Sequence, residues 1–128
     1  MRLLLDTYTF IWWAAGHPSL PGSARKRISE SQDPIFVSAA SAWEMAIKVS
    51  LGRLASAADL ISDFEGSLRA EYFLSLPITA EHGIRAGLLP APHKDPFDRM
   101  LIAQAQAENL AIVSNDEIFD QYGIRRLW

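Results

Sequence analysis

The sequence predicts an α/β fold in three layers, with a short, mostly parallel central sheet and helices on both faces. Three observations predict it. Arg2-Leu3-Leu4-Leu5-Asp6 places a leucine run with no polar face directly before a carboxylate, as in a strand buried on both sides at the centre of a parallel sheet. Short apolar runs of the same kind recur at Ile35-Phe36-Val37 and Ala111-Ile112-Val113. Helical patterns separate them throughout, and such alternation favours parallel pairing.

In order, Thr7 to Ala15 reads as a short helix carrying Phe10, Ile11, Trp12 and Trp13, closed by Gly16-His17-Pro18. Pro21 to Ser29 is a second helix with Pro21 in its first turn and solvated Arg25, Lys26 and Arg27. After the turn at Asp33-Pro34 comes the second buried strand. Ser38 to Leu51 is a helix whose Trp43, Ile47 and Leu51 form a core-facing stripe, ended by Gly52. Ala57 to Ala70 is one amphipathic helix with Leu60, Ile61, Phe64 and Leu68 inward. Tyr72 to Leu76 is a strand closed by Pro77, and Thr79 caps a helix running to Leu88. Leu89 to Lys94 is a loop, Pro96 to Asn109 a strongly patterned helix, and Ala111 to Val113 a strand. Asp116 to Tyr122 is a short helix, and Ile124 to Leu127 a final edge strand.

The 128 residues suffice for one domain with a real core. With no cysteine, disulfides and thiolate zinc sites are excluded, and a reducing cytoplasm is the simplest setting. Leu3 to Leu5 is too short an apolar run for a signal peptide, and no run is long enough to span a membrane. A net charge of −3 argues against nucleic-acid binding by bulk electrostatics, though not against a nuclease whose charge is offset by metal ions.

Asp6, Glu44, Asp98 and Asp116 share a context. Asp6 follows the first strand, Asp116 follows Ala111 to Val113, Glu44 lies in the helix after the second strand, and Asp98 opens the helix at Pro96. In a parallel sheet all four reach the carboxyl edge, where α/β folds bind ligands. Gathered carboxylates repel, and a hard divalent cation with oxygen ligands, Mg²⁺ or Mn²⁺, relieves this. Each also has a structural reading. Asp6 and Asp116 suit N-caps, Ser41 and Glu44 match a capping box, and Glu44 with Lys48 is an i, i+4 ion pair. Asp95 before Pro96 reads as a cap ahead of a ligand. His17, His82 and His93 lack metal-ligand spacing and read as surface or capping residues. No nucleophile elbow or Gly-rich phosphate loop exists.

Leu3-Leu4-Leu5-Asp6-Thr7, Ser41-Ala42-Trp43-Glu44-Met45-Ala46-Ile47-Lys48, Asp95-Pro96-Phe97-Asp98-Arg99-Met100-Leu101-Ile102-Ala103 and Ser114-Asn115-Asp116-Glu117-Ile118-Phe119, in that order, resemble the PIN-domain family. More narrowly they resemble the VapC-type toxins of bacterial toxin–antitoxin pairs, and the resemblance covers essentially the whole chain. It implies a PIN-like nuclease domain over residues 1–128, acting as a Mg²⁺- or Mn²⁺-dependent endoribonuclease that hydrolyses RNA with a metal-activated water. The implied ligands are Asp6 and Asp98, with Glu44 direct or through water and Asp116 outermost. Thr7 and Asp95 are accessory, and Lys48, Lys94 and Arg99 either contact the RNA backbone or neutralise the acids. The implied partners are a cognate antitoxin and a second copy of the chain, received in part on the apolar surface of Phe10 to Trp13. One departure is Tyr8, where related sequences often carry His; it either packs or stacks on a base. A catalytically inactive scaffold is the alternative. An aspartyl phosphatase would need an Asp at position 8, and DNA cleavage stays open.

Overall fold

The computed structural model describes residues 1–90 and 95–128. Strands β1 (Leu3–Leu5), β2 (Ile35–Ser38), β3 (Leu74–Leu76), β4 (Ala111–Val113) and β5 (Arg126–Leu127) form one sheet in the order β3-β2-β1-β4-β5. Each of these pairings is parallel. The leucine strand is central because both its faces are buried. Leu3 and Leu5 enter one core with Phe10, Ile11, Ala24, Ile28 and Met45, while Leu4 enters the other with Leu101, Ile102 and Phe119. Full burial of each leucine contributes about 1.5–3 kcal/mol.

Helices α1 (Thr7–Ala15), α2 (Gly22–Ser29), α3 (Ala39–Ser50), α4 (Ala58–Ser62) and α5 (Phe64–Ala70) supply the first core; α7 (Pro96–Glu108) supplies the second, with α6 (Ala80–Leu88) packed on it. One 3₁₀ turn, Ala55–Ala57, precedes α4, and another, Glu117–Tyr122, lies between β4 and β5. The crossovers carry the chain from each strand's carboxyl end back to the amino edge, so the β1–α1, β2–α3 and β4–3₁₀ junctions share one edge.

Several expectations need correction. The stripe on α3 is displaced: Trp43 and Leu51 are exposed, Ile47 is only partly covered, and Ala40, Ser41, Glu44 and Met45 are the buried residues. The helix expected over Ala57 to Ala70 is broken at Asp63, whose side chain accepts from the Gly66 amide and restarts the helix, although Leu60, Ile61, Phe64 and Leu68 do face the core. On α1 the apolar run divides between core and half-buried positions, Trp12 and Trp13 being the half-buried ones. Phe10 and Ile11 are buried, and Trp13 packs on Phe73 and donates to Glu71. At the end of the α5–β3 connection, Tyr72 sits at φ 59° with its side chain in solvent, so that strand starts only at Leu74. Of the loop expected over Leu89 to Lys94, residues 91–94, with His93 and Lys94, lie outside the described residues.

Candidate active site

At the carboxyl edge three acids end up as helix caps. Asp6 Oδ1 accepts the Thr9 amide at 2.8 Å, Asp95 Oδ1 accepts the amides of Phe97 and Asp98 at 2.9 and 3.2 Å, and Asp116 Oδ1 accepts that of Ile118 at 3.0 Å. Ser38, not Ser41, caps α3, through the Ala40 amide. This frees Ser41 and Glu44 from the capping-box reading. Capping and clustering therefore coexist, because the same geometry that brings strand ends together brings the following helix starts together. The positive ends of those helices partly offset the acids they carry.

Glu44 is buried at 6% exposure and its two oxygens are held from opposite sides. Thr7 Oγ1 lies 2.6 Å from Oε1, and the Lys48 ammonium donates to Oε2 at 2.7 Å. The Thr7 hydroxyl has one proton, which goes to the carboxylate; the Ser41 hydroxyl stands 2.9 Å from the same Thr7 oxygen. Lys48 also donates to the Tyr8 hydroxyl at 2.9 Å. Burial lowers the Lys48 pKa, but its bonds to Glu44 and Tyr8 outweigh that, and the net shift is upward.

Asp6, Thr7, Tyr8, Trp12, Glu44, Lys48, Asp95, Asp98, Asn115 and Asp116 line one cleft of about 320 Å³. Among these described lining residues the carboxylates are Asp6, Glu44, Asp95, Asp98 and Asp116, and the one cation is Lys48. Burial pushes the Asp6 carboxyl above its ordinary range; hydrogen bonds from Ser114 and Thr9 pull it back, and the charge of Glu44 adds to the rise. A carboxylate that burial disfavours in its charged form gains most from a cation placed beside it.

The donor set is carboxylate oxygen throughout, which fits a hard ion of the Mg²⁺ or Mn²⁺ type. As the side chains stand, no group of three among the described residues is close enough to hold an ion together. One oxygen of each capping Asp accepts from its own helix, and Lys48 and Thr7 hold both oxygens of Glu44.

The expected residues Asp6, Glu44, Asp98 and Asp116 are thus brought to one cleft, with Thr7, Asp95 and Lys48. Arg99 is not: its guanidinium donates to the carbonyls of Ala86 and Leu89 at 2.8 and 2.6 Å, at the end of α6. His82 is a buried cap residue in α6, as its lack of ligand spacing suggested. Residues not singled out as site members also serve the cleft. Ser114 is buried, accepts the Asp116 amide at 3.0 Å, and pulls the Asp6 pKa down against burial. Its signal was its place at the end of β4, level with Asp6 at the end of β1. Trp12 joins through its i+4 relation to Tyr8.

A wholly parallel α/β sheet with an acidic cleft at its carboxyl edge defines a class of fold and site. The chain belongs to the PIN domain family, whose sequence model matches residues 3–124. A search of curated protein sequences finds no match. Among solved structures, it is similar to VapBC2 from Rickettsia felis bound to a DNA fragment from their promoter, with TM-score 0.65, 16% identity and coverage of 98% of this chain and 97% of that chain. It is also similar to VapBC-1 from nontypeable Haemophilus influenzae, with TM-score 0.64, 18% identity and coverage of 98% and 96%. At these identities the similarity is one of fold.

Proposed function

We propose that this chain is a Mg²⁺- or Mn²⁺-dependent endoribonuclease and the toxin of a toxin–antitoxin pair, with residues 1–128 acting as a single nuclease domain. The observation that carries this reading is the lining of one small cleft by Asp6, Glu44, Asp98 and Asp116 with a single cation among the described lining side chains. Asp6 and Asp98 are the principal ligands, Glu44 completes the site directly or through water, and Asp116 is its outer member. A bound divalent ion supplies Lewis acidity to the phosphate and lowers the pKa of water. Glu44, steadied by Thr7 and Lys48, orients the attacking water. Lys48 lines the same cleft and is placed to meet the RNA backbone.

Membership of the PIN domain family supports the nuclease reading, and similarity in fold to two VapBC proteins supports the toxin reading. The partners are a cognate antitoxin and a second copy of the chain. Exposed Trp43, Ile78, Ile84 and Leu88 supply apolar surface for them. Among the described residues no helix is long and apolar enough to cross a membrane, and we place the activity in the cytoplasm.

Asp6→Asn keeps an oxygen for the Thr9 amide and removes the charge. It should reduce Mg²⁺- or Mn²⁺-dependent cleavage of RNA at least about a hundredfold, since even outer-shell partners of a metal are worth about 10–100-fold, while the circular dichroism spectrum is unchanged. Full activity in this variant would sink the proposal. The alternative of an inactive scaffold expects no cleavage by the parent protein.

A further inference from the structure

Helix α1 divides its aromatic residues between two destinations. Phe10 is fully buried, against Phe64 and Phe73. Tyr8 and Trp12, one helical turn apart, both line the acidic cleft. Their rings are 6.0 Å apart at 44°, and Trp12 is held in turn by His17 and Trp128, each at 6.2 Å. Tyr8 keeps 38% of its surface exposed while lining the cleft. The Lys48 ammonium lies 2.9 Å from its hydroxyl and 4.8 Å from its ring centroid, at the hydroxyl end of the ring. The same ammonium bonds Glu44, so the exposed ring stands two hydrogen bonds from a carboxylate of the cleft.

We infer that Tyr8, backed by Trp12, is a stacking platform for an unpaired base of single-stranded RNA, holding the nucleotide next to the phosphate that enters the acidic cleft. This rests on the nuclease reading for the identity of the strand and adds a residue that positions it; a base inside a duplex has no face to offer such a ring. Stacking is tolerant of base identity. It also supplies affinity that an acidic cleft cannot obtain from phosphate contacts, given one cation among its described lining residues. Tyr8 is thus a positioning residue that binds substrate.

The test measures binding and turnover separately. Binding is followed with a fluorescently labelled single-stranded RNA in the cleavage-deficient Asp6→Asn background, alongside the same strand with abasic nucleotides, the duplex and the matching single-stranded DNA. Tyr8→Ala should weaken binding to the intact strand about tenfold, within the range of about fivefold to 150-fold expected for one stacked base. Tyr8→Phe, which keeps the ring and loses the Lys48 contact, should retain most of the affinity. Abasic and duplex RNA should bind weakly and respond little to Tyr8→Ala. In turnover, Tyr8→Ala should raise KM by a larger factor than it lowers kcat. Unchanged affinity in Tyr8→Ala overturns the inference, as does equal weakening by Tyr8→Phe, which would assign the effect to Lys48. Tight duplex binding overturns it too. DNA bound as RNA is, with the same dependence on Tyr8, would retain the platform and overturn its assignment to RNA. If the parent cleaves no RNA yet this binding pattern holds, the nuclease reading fails and the platform stands.

Discussion

The two edges of the sheet make an instructive contrast. At the amino edge a hollow of about 670 Å³ is lined by Met1, Lys26, Arg27, Glu30, Asp33 and Arg125 among others. Its charges are mixed, and the Met1 ammonium is bonded to Asp33. At the carboxyl edge a cleft of half that volume, about 320 Å³, collects carboxylates with Lys48 as the cation among its described lining residues. The larger hollow carries charges of both signs. The smaller one is a concentration of like charge that folding had to overcome, and such concentrations mark sites where a ligand completes the balance. Charge of one sign, and not size, separates the two.

The largest expected effect that would break or sharpen this contrast is on activity. Asp98→Asn and Asp116→Asn, both in the cleft, should each lower metal-dependent RNA cleavage at least about tenfold, with Asp98→Asn the more severe. Glu30→Gln, in the amino-edge hollow, should leave it within about twofold. Rates from initial velocities under saturating Mg²⁺ decide it, and comparable losses at both edges would end the distinction.

Next comes Lys48→Met, which leaves Glu44 buried with Thr7 as its remaining side-chain partner in the ion-pair geometry. Breaking a fully buried pair costs about 3–5 kcal/mol. The Lys48 side chain is 30% exposed, so the loss should be smaller, on the order of 1–2 kcal/mol by urea unfolding without metal. Added Mg²⁺ should recover part of it. A variant as stable as the parent would mean that the ion pair contributes nothing to holding Glu44 in the cleft.

The sequence shows the sheet well and the cleft in part, for different reasons. Leu3 to Leu5, Ile35 to Val37 and Ala111 to Val113 announce burial on both faces by having no polar alternative, so the central strand and the parallel order could be read directly. Asp6, Asp95 and Asp116 could be read as caps or as cleft acids, and the structure makes them both. What local pattern does not reveal is that α3 buries Ser41 and Glu44 and exposes Trp43. Apolar periodicity assumes that the core is the only thing worth facing, and here one helix face is turned to a polar cleft. The break at Asp63 was concealed for a similar reason: Leu60, Ile61, Phe64 and Leu68 keep helical spacing across it, and only the Asp63-to-Gly66 cap interrupts the helix.

A smaller effect concerns metal and pH together. The folded pKa of Asp6 lies above its ordinary 3.8 because of burial, so without metal the folded chain holds that proton more tightly than the unfolded chain. Its contribution to stability is therefore greatest in acid and falls as pH rises from near 3.8 through the raised value. Mg²⁺ at about ten times its dissociation constant should return about 1.4 kcal/mol, a rise in Tm of about 5 °C. Melting curves at several pH values, with and without Mg²⁺, check both. Asp6→Asn should flatten the metal-free profile and abolish the Mg²⁺ shift; a parent protein indifferent to millimolar Mg²⁺ would count against the site.

The smallest effect belongs to the amino edge. Asp33→Asn removes the carboxylate that meets the Met1 ammonium, a pair whose side chains are 41% and 47% exposed. Solvent already satisfies both groups, so Coulomb attraction there competes with hydration and with the entropy of ordering a chain terminus, and exposed pairs are worth about 0–1 kcal/mol. The loss should sit at the low end of that range, fade further in high salt, and show no dependence on Mg²⁺. A salt-independent loss above that range would mean that the amino edge, like the carboxyl edge, stores charge in a buried form, and the contrast between the two edges would then rest on chemistry alone.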